Sequence, residues 1–149
     1  MGENAMNKRA WTLLAISFSG NEYLSPAQLQ KGLFVFKEKN QKAVGHDFYE
    51  FIPYNYGPFC KEIYTDTESL VSESLVKFGH PLGESWKGYL MTEKGKEYLE
   101  SIKNQIPQED QDYLAEIINW TRSLTFRQLL RVIYKEFPHY KINSVFSES

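Results

Sequence analysis

Little in this sequence advertises a chemistry. It holds one cysteine, Cys60, so no disulfide can close within the chain, and a lone thiol suits a reducing compartment. No stretch approaches the roughly 20 apolar residues that cross a bilayer. The longest, Trp11 to Phe18, is interrupted by Thr12 and Ser17. Positive charge is not in excess: 17 Lys and Arg stand against 19 Asp and Glu, a net of -2, which argues against a protein that coats nucleic acid by charge alone. His46, His80 and His139 are far apart, and none pairs with another His or Cys at ligand spacing, so no metal site is expected. The glycine-rich dinucleotide loop, the phosphate-binding loop and the nucleophile elbow are all missing. No cofactor and no catalytic residue is assigned, and a non-enzymatic protein is expected.

What the chain does have is large side chains. Aromatics reach 15 %, with 10 Phe, 10 Tyr and 3 Trp, enough to build a core and to exclude intrinsic disorder. The opening residues lack an apolar region followed by a small-residue cleavage site, so a cytoplasmic protein with no membrane partner is expected. Residues 1–5, ahead of Met6, are set aside as a candidate expression leftover.

Helix signals divide the rest. Asn7 to Phe18 carries an apolar stripe through Trp11, Leu14 and Phe18, ended by Gly20-Asn21. Ser25-Pro26-Ala27-Gln28 reads as a capping box with proline in the first turn, opening a helix with Leu29, Leu33 and Phe36 on one face. Gly32 inside that helix predicts a close helix contact. His46 to Tyr56 reads as an extended segment. Gly57-Pro58 predicts the next helix start, with Pro58 in its first turn and Phe59 pinning that turn to the core. Its buried stripe runs through Ile63, Thr67, Leu70 and Ser74 to Leu75.

Val76 to Thr92 reads as a hairpin, and Thr92 caps a helix with Tyr98, Leu99 and Ile102. Pro107 and an acidic run open another helix. Thr125-Phe126-Arg127-Gln128 is a second capping box, and its helix stops at Pro138. The expected fold is therefore α+β and mainly helical: a winged helix-turn-helix-like core over 6–106, with a two-stranded wing and extra helices at both ends. A C-terminal helical extension, 107–149, packs on it within a single domain.

In such a fold the helix after Gly57-Pro58 would be the recognition helix. A DNA reader there exposes basic and amide side chains. Lys61 to His80 instead carries two positive and four negative residues, which repels phosphate. Lys61, Lys87 in the wing and Arg122 are the DNA contacts if DNA is bound. Trp86 at the wing, with Tyr64 and Tyr89, is a candidate partner contact, although Trp86 folding back onto the core is an equal reading. Arg127, Arg131 and Lys135, four apart, line one helix face that could meet DNA or an acidic partner or simply be a solvated face. Cys60, placed in a helix first turn, is a minor candidate thiol nucleophile with His46 or His80 as base, set against the plainer reading of a small core residue.

Tyr54-Asn55-Tyr56-Gly57-Pro58-Phe59, with Ile63-Tyr64, Asp66 and Leu70, resembles the central motif of YwgA-like bacterial proteins. Leu29-Gln30-Lys31-Gly32-Leu33-Phe34, Tyr89-Leu90-Met91-Thr92-Glu93-Lys94-Gly95, Leu129 to Tyr134, Phe137 to Tyr140 and Asn143-Ser144-Val145 resemble that family's other motifs, in order. A more distant similarity is to the Panacea domain of SocA-type antitoxins, through Lys31 to Phe36 and Gly57-Pro58-Phe59. That domain has a Trp before the Gly-Pro and a Val after it, where Asn55-Tyr56 and Phe59 stand here. The resemblance implies no catalytic residue. It implies action by protein contact, as an antitoxin or adaptor, with Gly57, Pro58 and Phe59 as a structural turn. The expectation is a regulatory module, monomer or homodimer, that binds another protein such as a toxin or regulated target. A DNA-binding transcriptional regulator is the alternative.

Overall fold

The computed structural model describes residues 7–45 and 47–146, so residues 1–5 and the candidate base His46 lie outside the described residues. In chain order the elements are α1 (Lys8–Ser17), α2 (Pro26–Lys39), α3 (Gln41–Val44), β1 (Ile52–Tyr54), β2 (Gly57–Phe59), α4 (Lys61–Ser72), β3 (Val76–Gly79), β4 (Gly88–Met91), α5 (Glu93–Ile102), α6 (Gln108–Arg122) and α7 (Phe126–Glu136). Short 3-10 turns follow α5 and α7.

Start signals act where the sequence places them. Asn7 Oδ1 accepts the Ala10 N–H at 2.9 Å, capping α1. Ser25 with Gln28, and Thr125 with Gln128, form reciprocal capping boxes ahead of α2 and α7. Thr92 Oγ1 accepts the Gly95 N–H at 2.9 Å, and Glu109 and Asp110 sit in the first turn of α6, where the helix dipole favours them.

The fold is α+β and mainly helical, with a winged-helix layout: α1, α2 and α4, then the β3–β4 wing and α5. The wing pairs antiparallel, Val76 opposite Met91 through Gly79 opposite Gly88. A third strand, absent from the sequence reading, is reduced to one residue. Leu24 and Tyr89 exchange both backbone hydrogen bonds, at 2.9 and 2.8 Å. Gly88 permits this approach, since a Cβ there would lie 2.5 Å from the Leu24 carbonyl oxygen.

Two expectations are corrected. Gly57-Pro58-Phe59 does not start a helix: it is strand β2, paired with β1 around Asn55-Tyr56, with Gly57 at φ +89. Proline in the first helical turn and proline beside a tight turn read alike in sequence, and here pairing with Ile52 to Tyr54 decides. Cys60 is consequently the N-cap of α4 rather than a first-turn residue. Secondly, α4 ends at Ser72. Ser74 takes a left-handed conformation (φ 65), exposed rather than buried, while the Leu75 N–H returns to the Leu70 carbonyl at 2.9 Å, a Schellman-type stop that turns the chain into β3.

The core is organised around α2. Every residue from Leu29 to Phe36 is buried, so this helix is covered on all sides. Gly32 makes the expected close contact: a Cβ there would lie 2.8 Å from Ile118 Cδ1 of α6. Phe34 meets Phe51, Phe137 and Tyr140 edge-on at 4.7–5.4 Å, tying the segment before β1 to the C-terminal turn. The same turn clamps the hairpin, with Val145 N–H on the Asn55 carbonyl at 2.9 Å and Asn143 Nδ2 on the Pro53 carbonyl at 3.2 Å.

One polar cluster is built into the interface of α1 and α4. The Tyr49 hydroxyl donates to Asp66 Oδ2 at 2.6 Å and lies 2.7 Å from Thr12 Oγ1, which is fully buried. Tyr49→Phe leaves Thr12 and Asp66 short of a partner. The expected loss is about 1–3 kcal/mol in urea unfolding. A Thr12→Val change in the Phe background is expected to add less than it does alone, because the two groups share one network.

Candidate functional site

α4 stands in the recognition position, and its outward surface is apolar and acidic. Lys61, Glu62, Tyr64, Glu68 and Val71 are exposed, while Ile63, Thr67 and Leu70 face the core. Glu62 pairs with Lys8 at 2.8 Å and Glu73 pairs with Arg9, which fastens α4 to α1. Between α4 and the wing lies a groove of about 350 Å³ bordered by Tyr64, Thr67, Glu68, Val71, Phe78 and Tyr89. Phe78, 45 % exposed, lines this groove with the exposed Tyr64 and Val71.

The sequence-selected residues fall into different places around this surface. Tyr64 is on the groove wall, and partial burial pushes its hydroxyl pKa up. Tyr89 is buried at 4 % exposure, its ring against Phe78 at 5.1 Å and its backbone paired with Leu24, so it forms the floor rather than a projecting contact. Trp86 is 40 % exposed and borders a hollow with Asn21 to Tyr23, Pro81 and Leu82, the last fully exposed at the wing tip. Lys87 places its ammonium 5.8 Å from the Phe78 ring centre. Arg122 is ion-paired to Glu22. Arg127, Arg131 and Lys135 are all exposed on one face of α7, with the Arg127 guanidinium 5.5 Å from the Phe146 ring centre.

Cys60 does not have the environment the sequence reading gave it. It is 4 % exposed, and burial pushes its thiol pKa up, opposed only in part by the backbone N–H groups of Ile63 and Glu62. The Gln30 side chain holds its backbone at both ends, Nε2 on the Cys60 carbonyl and Oε1 on the Cys60 N–H, each at 2.9 Å. His80 lies in the wing, its Nδ1 3.2 Å from the Glu84 carbonyl. Among the described residues, no group of three or more His, Cys, Asp or Glu side chains could hold a metal ion. No helix of the described residues is long and apolar enough to cross a membrane.

A second concavity lies where α2, the β1–β2 hairpin, α4 and α7 meet. It measures about 310 Å³ and is walled by Tyr54, Tyr56, Phe59, Tyr64 and Phe126. Lys31 of α2 lines it while being only 5 % exposed. Among the described residues its ammonium has no hydrogen-bond or ion-pair partner, and burial alone pulls its pKa down to about 8. Sequence reasoning treated Lys31 only as part of a helix motif. The available signal was its setting, a lysine inside Leu29 to Phe36 where both helix faces are apolar. The Lys31 helix motif and the Tyr54 to Phe59 motif, far apart in the chain, build this cavity together. Compared with protein-family models and with curated proteins, the chain matches none.

Proposed function

We propose that this protein is a non-enzymatic regulatory module that acts by binding another protein through α4 and the wing, in an antitoxin-like or adaptor-like role. The observation that carries this reading is the α4–wing groove: apolar side chains at Tyr64, Val71 and Phe78 beside Glu68, at the position where a DNA reader needs positive charge. Such a surface suits a protein segment that brings apolar side chains and a basic residue. Trp86 and Leu82 extend the apolar contact along the wing. The resemblance to YwgA-like and Panacea-type proteins points the same way. The Arg127, Arg131 and Lys135 face is a second candidate contact for an acidic partner. A DNA-binding regulator is the competing reading, resting on exposed Lys61 and Lys87.

The test pairs fluorescence anisotropy on random-sequence duplex DNA at low salt with partner capture from cell extract. The expected result is no duplex binding, and a captured protein that is lost in a Val71→Asp/Phe78→Asp variant that remains folded. Duplex binding that collapses with added salt, and falls when Lys61 and Lys87 become Glu, would replace this reading with the DNA-binding one.

A further inference from the structure

Exposed aromatic rings and one almost wholly buried lysine line the same cavity. Tyr54 stacks on Phe59 at 5.0 Å, Phe59 meets Tyr64 at 5.8 Å, and Tyr56 meets Phe126 at 5.6 Å. Tyr54, Tyr56, Tyr64 and Phe126 each remain 37–48 % exposed despite these contacts. The cavity they border, about 310 Å³, lies at the small end of the roughly 300–1,000 Å³ span of small-molecule sites. Its cationic group is Lys31, and no Asp or Glu is among the residues that line it. Gln30, the neighbouring polar side chain, is already engaged at both ends by the Cys60 backbone.

The Lys31 side chain is almost wholly buried, and its ammonium, which keeps some contact with solvent at the cavity, has lost most of its hydration without gaining a partner; that is unfavourable, and so is a cluster of wetted rings. A purely structural side chain at this position would gain nothing from its charge, because an unbranched apolar residue would fill the same space. One kind of occupant relieves both costs: a flat apolar body carrying a single negative charge. The geometry points to a binding site for a small aromatic carboxylate, its carboxylate paired with Lys31 Nζ and its ring against Tyr54, Tyr56 and Phe59. A single lysine neutralises a single charge, so a monoanion fits better than a phosphate ester. Tyr64 walls both this cavity and the α4–wing groove, yet the site stands independently of the partner-binding reading.

The test uses isotope-labelled full-length protein at neutral pH, titrated with benzoate, phenylacetate and naphthoate. Benzamide and benzylamine serve as neutral and cationic counterparts. At least one of the three acids is expected to bind saturably, with shifts centred on Lys31, Tyr54, Tyr56 and Phe59. Benzamide should bind at least about tenfold more weakly, as expected for a lost charge-assisted contact, and benzylamine should not bind. Lys31→Met should abolish acid binding while its spectrum stays folded. No saturable binding by any of the three acids overturns the proposal, as does equal binding of benzoate and benzamide. Both comparisons use the wild-type protein and hold whatever the variant does.

Discussion

Gly95→Ala is expected to destabilise the protein by about 3–5 kcal/mol, the range reserved for a few specific mechanisms. The residue is helical, in the first turn of α5, so by propensity alone alanine would be better by about 1 kcal/mol. The contact reverses that sign. A Cβ on Gly95 would lie 2.1 Å from the Leu75 carbonyl oxygen and 3.1 Å from its carbonyl carbon. Leu75 is not free to retreat. Its carbonyl accepts the Thr92 N–H at 3.2 Å, its N–H is bonded to Leu70, and Thr92 Oγ1 donates to the Ser74 carbonyl at 2.6 Å. Accommodating one methyl therefore means separating α5 from the end of α4. Gly32→Ala is the internal comparison, since its Cβ would meet the tip of the flexible Ile118 side chain at 2.8 Å rather than backbone. Urea unfolding of both variants should rank Gly95→Ala as much the worse. Equal stabilities would show that α5 does not approach Leu75 this closely.

Lys31→Met is expected to do the opposite and stabilise the protein. Burial lowers the lysine pKa from the usual 10.5 to about 8, which corresponds to about 3 kcal/mol acting against the charged form. The direction with pH follows from which state holds more protons. Between pH 8 and 10.5 the unfolded chain keeps the Lys31 proton and the folded chain has released it, so the wild-type protein gains stability as pH rises through this window. Below pH 8 the lysine is charged in both states, and the penalty is present in full. The gain from methionine should therefore be largest at neutral pH and shrink as pH approaches 10.5. The difference between the two proteins is the quantity to follow, because it cancels titrations common to both, including that of Tyr49. A variant no more stable than wild type at neutral pH would mean that Lys31 is solvated or paired.

The two substitutions show two ways in which a residue can enter the structure. For Gly95 the reason is steric: the α5 first turn must pass against a backbone carbonyl. Lys31 has no such reason. Gly32 beside it is explained by Ile118 and Thr121, and Gln30 by the Cys60 backbone, whereas the charge on the packed Lys31 side chain has no hydrogen-bond or ion-pair partner among the described residues. A buried charge kept at a cost to stability is the pattern of a binding residue.

Features whose cause lies within a few residues were legible in the sequence alone. Ser25 with Gln28, and Thr125 with Gln128, satisfy backbone donors one turn away, so their capping boxes were legible without the rest of the chain. Thr92 as a cap, the β3–β4 wing and the Gly32 contact were legible too, the last because a glycine inside an apolar helix needs a neighbour to explain it. The tertiary structure decided whatever depended on a distant partner. Pro58 lies in a strand because β2 pairs with β1, and the C-terminal turn holds that hairpin through the Pro53 and Asn55 carbonyls, about which local turn chemistry is silent. Leu24 is a strand because Tyr89 lies opposite it. Cys60 has a raised pKa, not a lowered one, because burial outweighs the helix terminus. Lys31 became a candidate site only when α2, α4, α7 and the hairpin closed around it. Desolvation depends on what surrounds a charge in space, and that is set by packing between segments, not by the identity of neighbours along the chain.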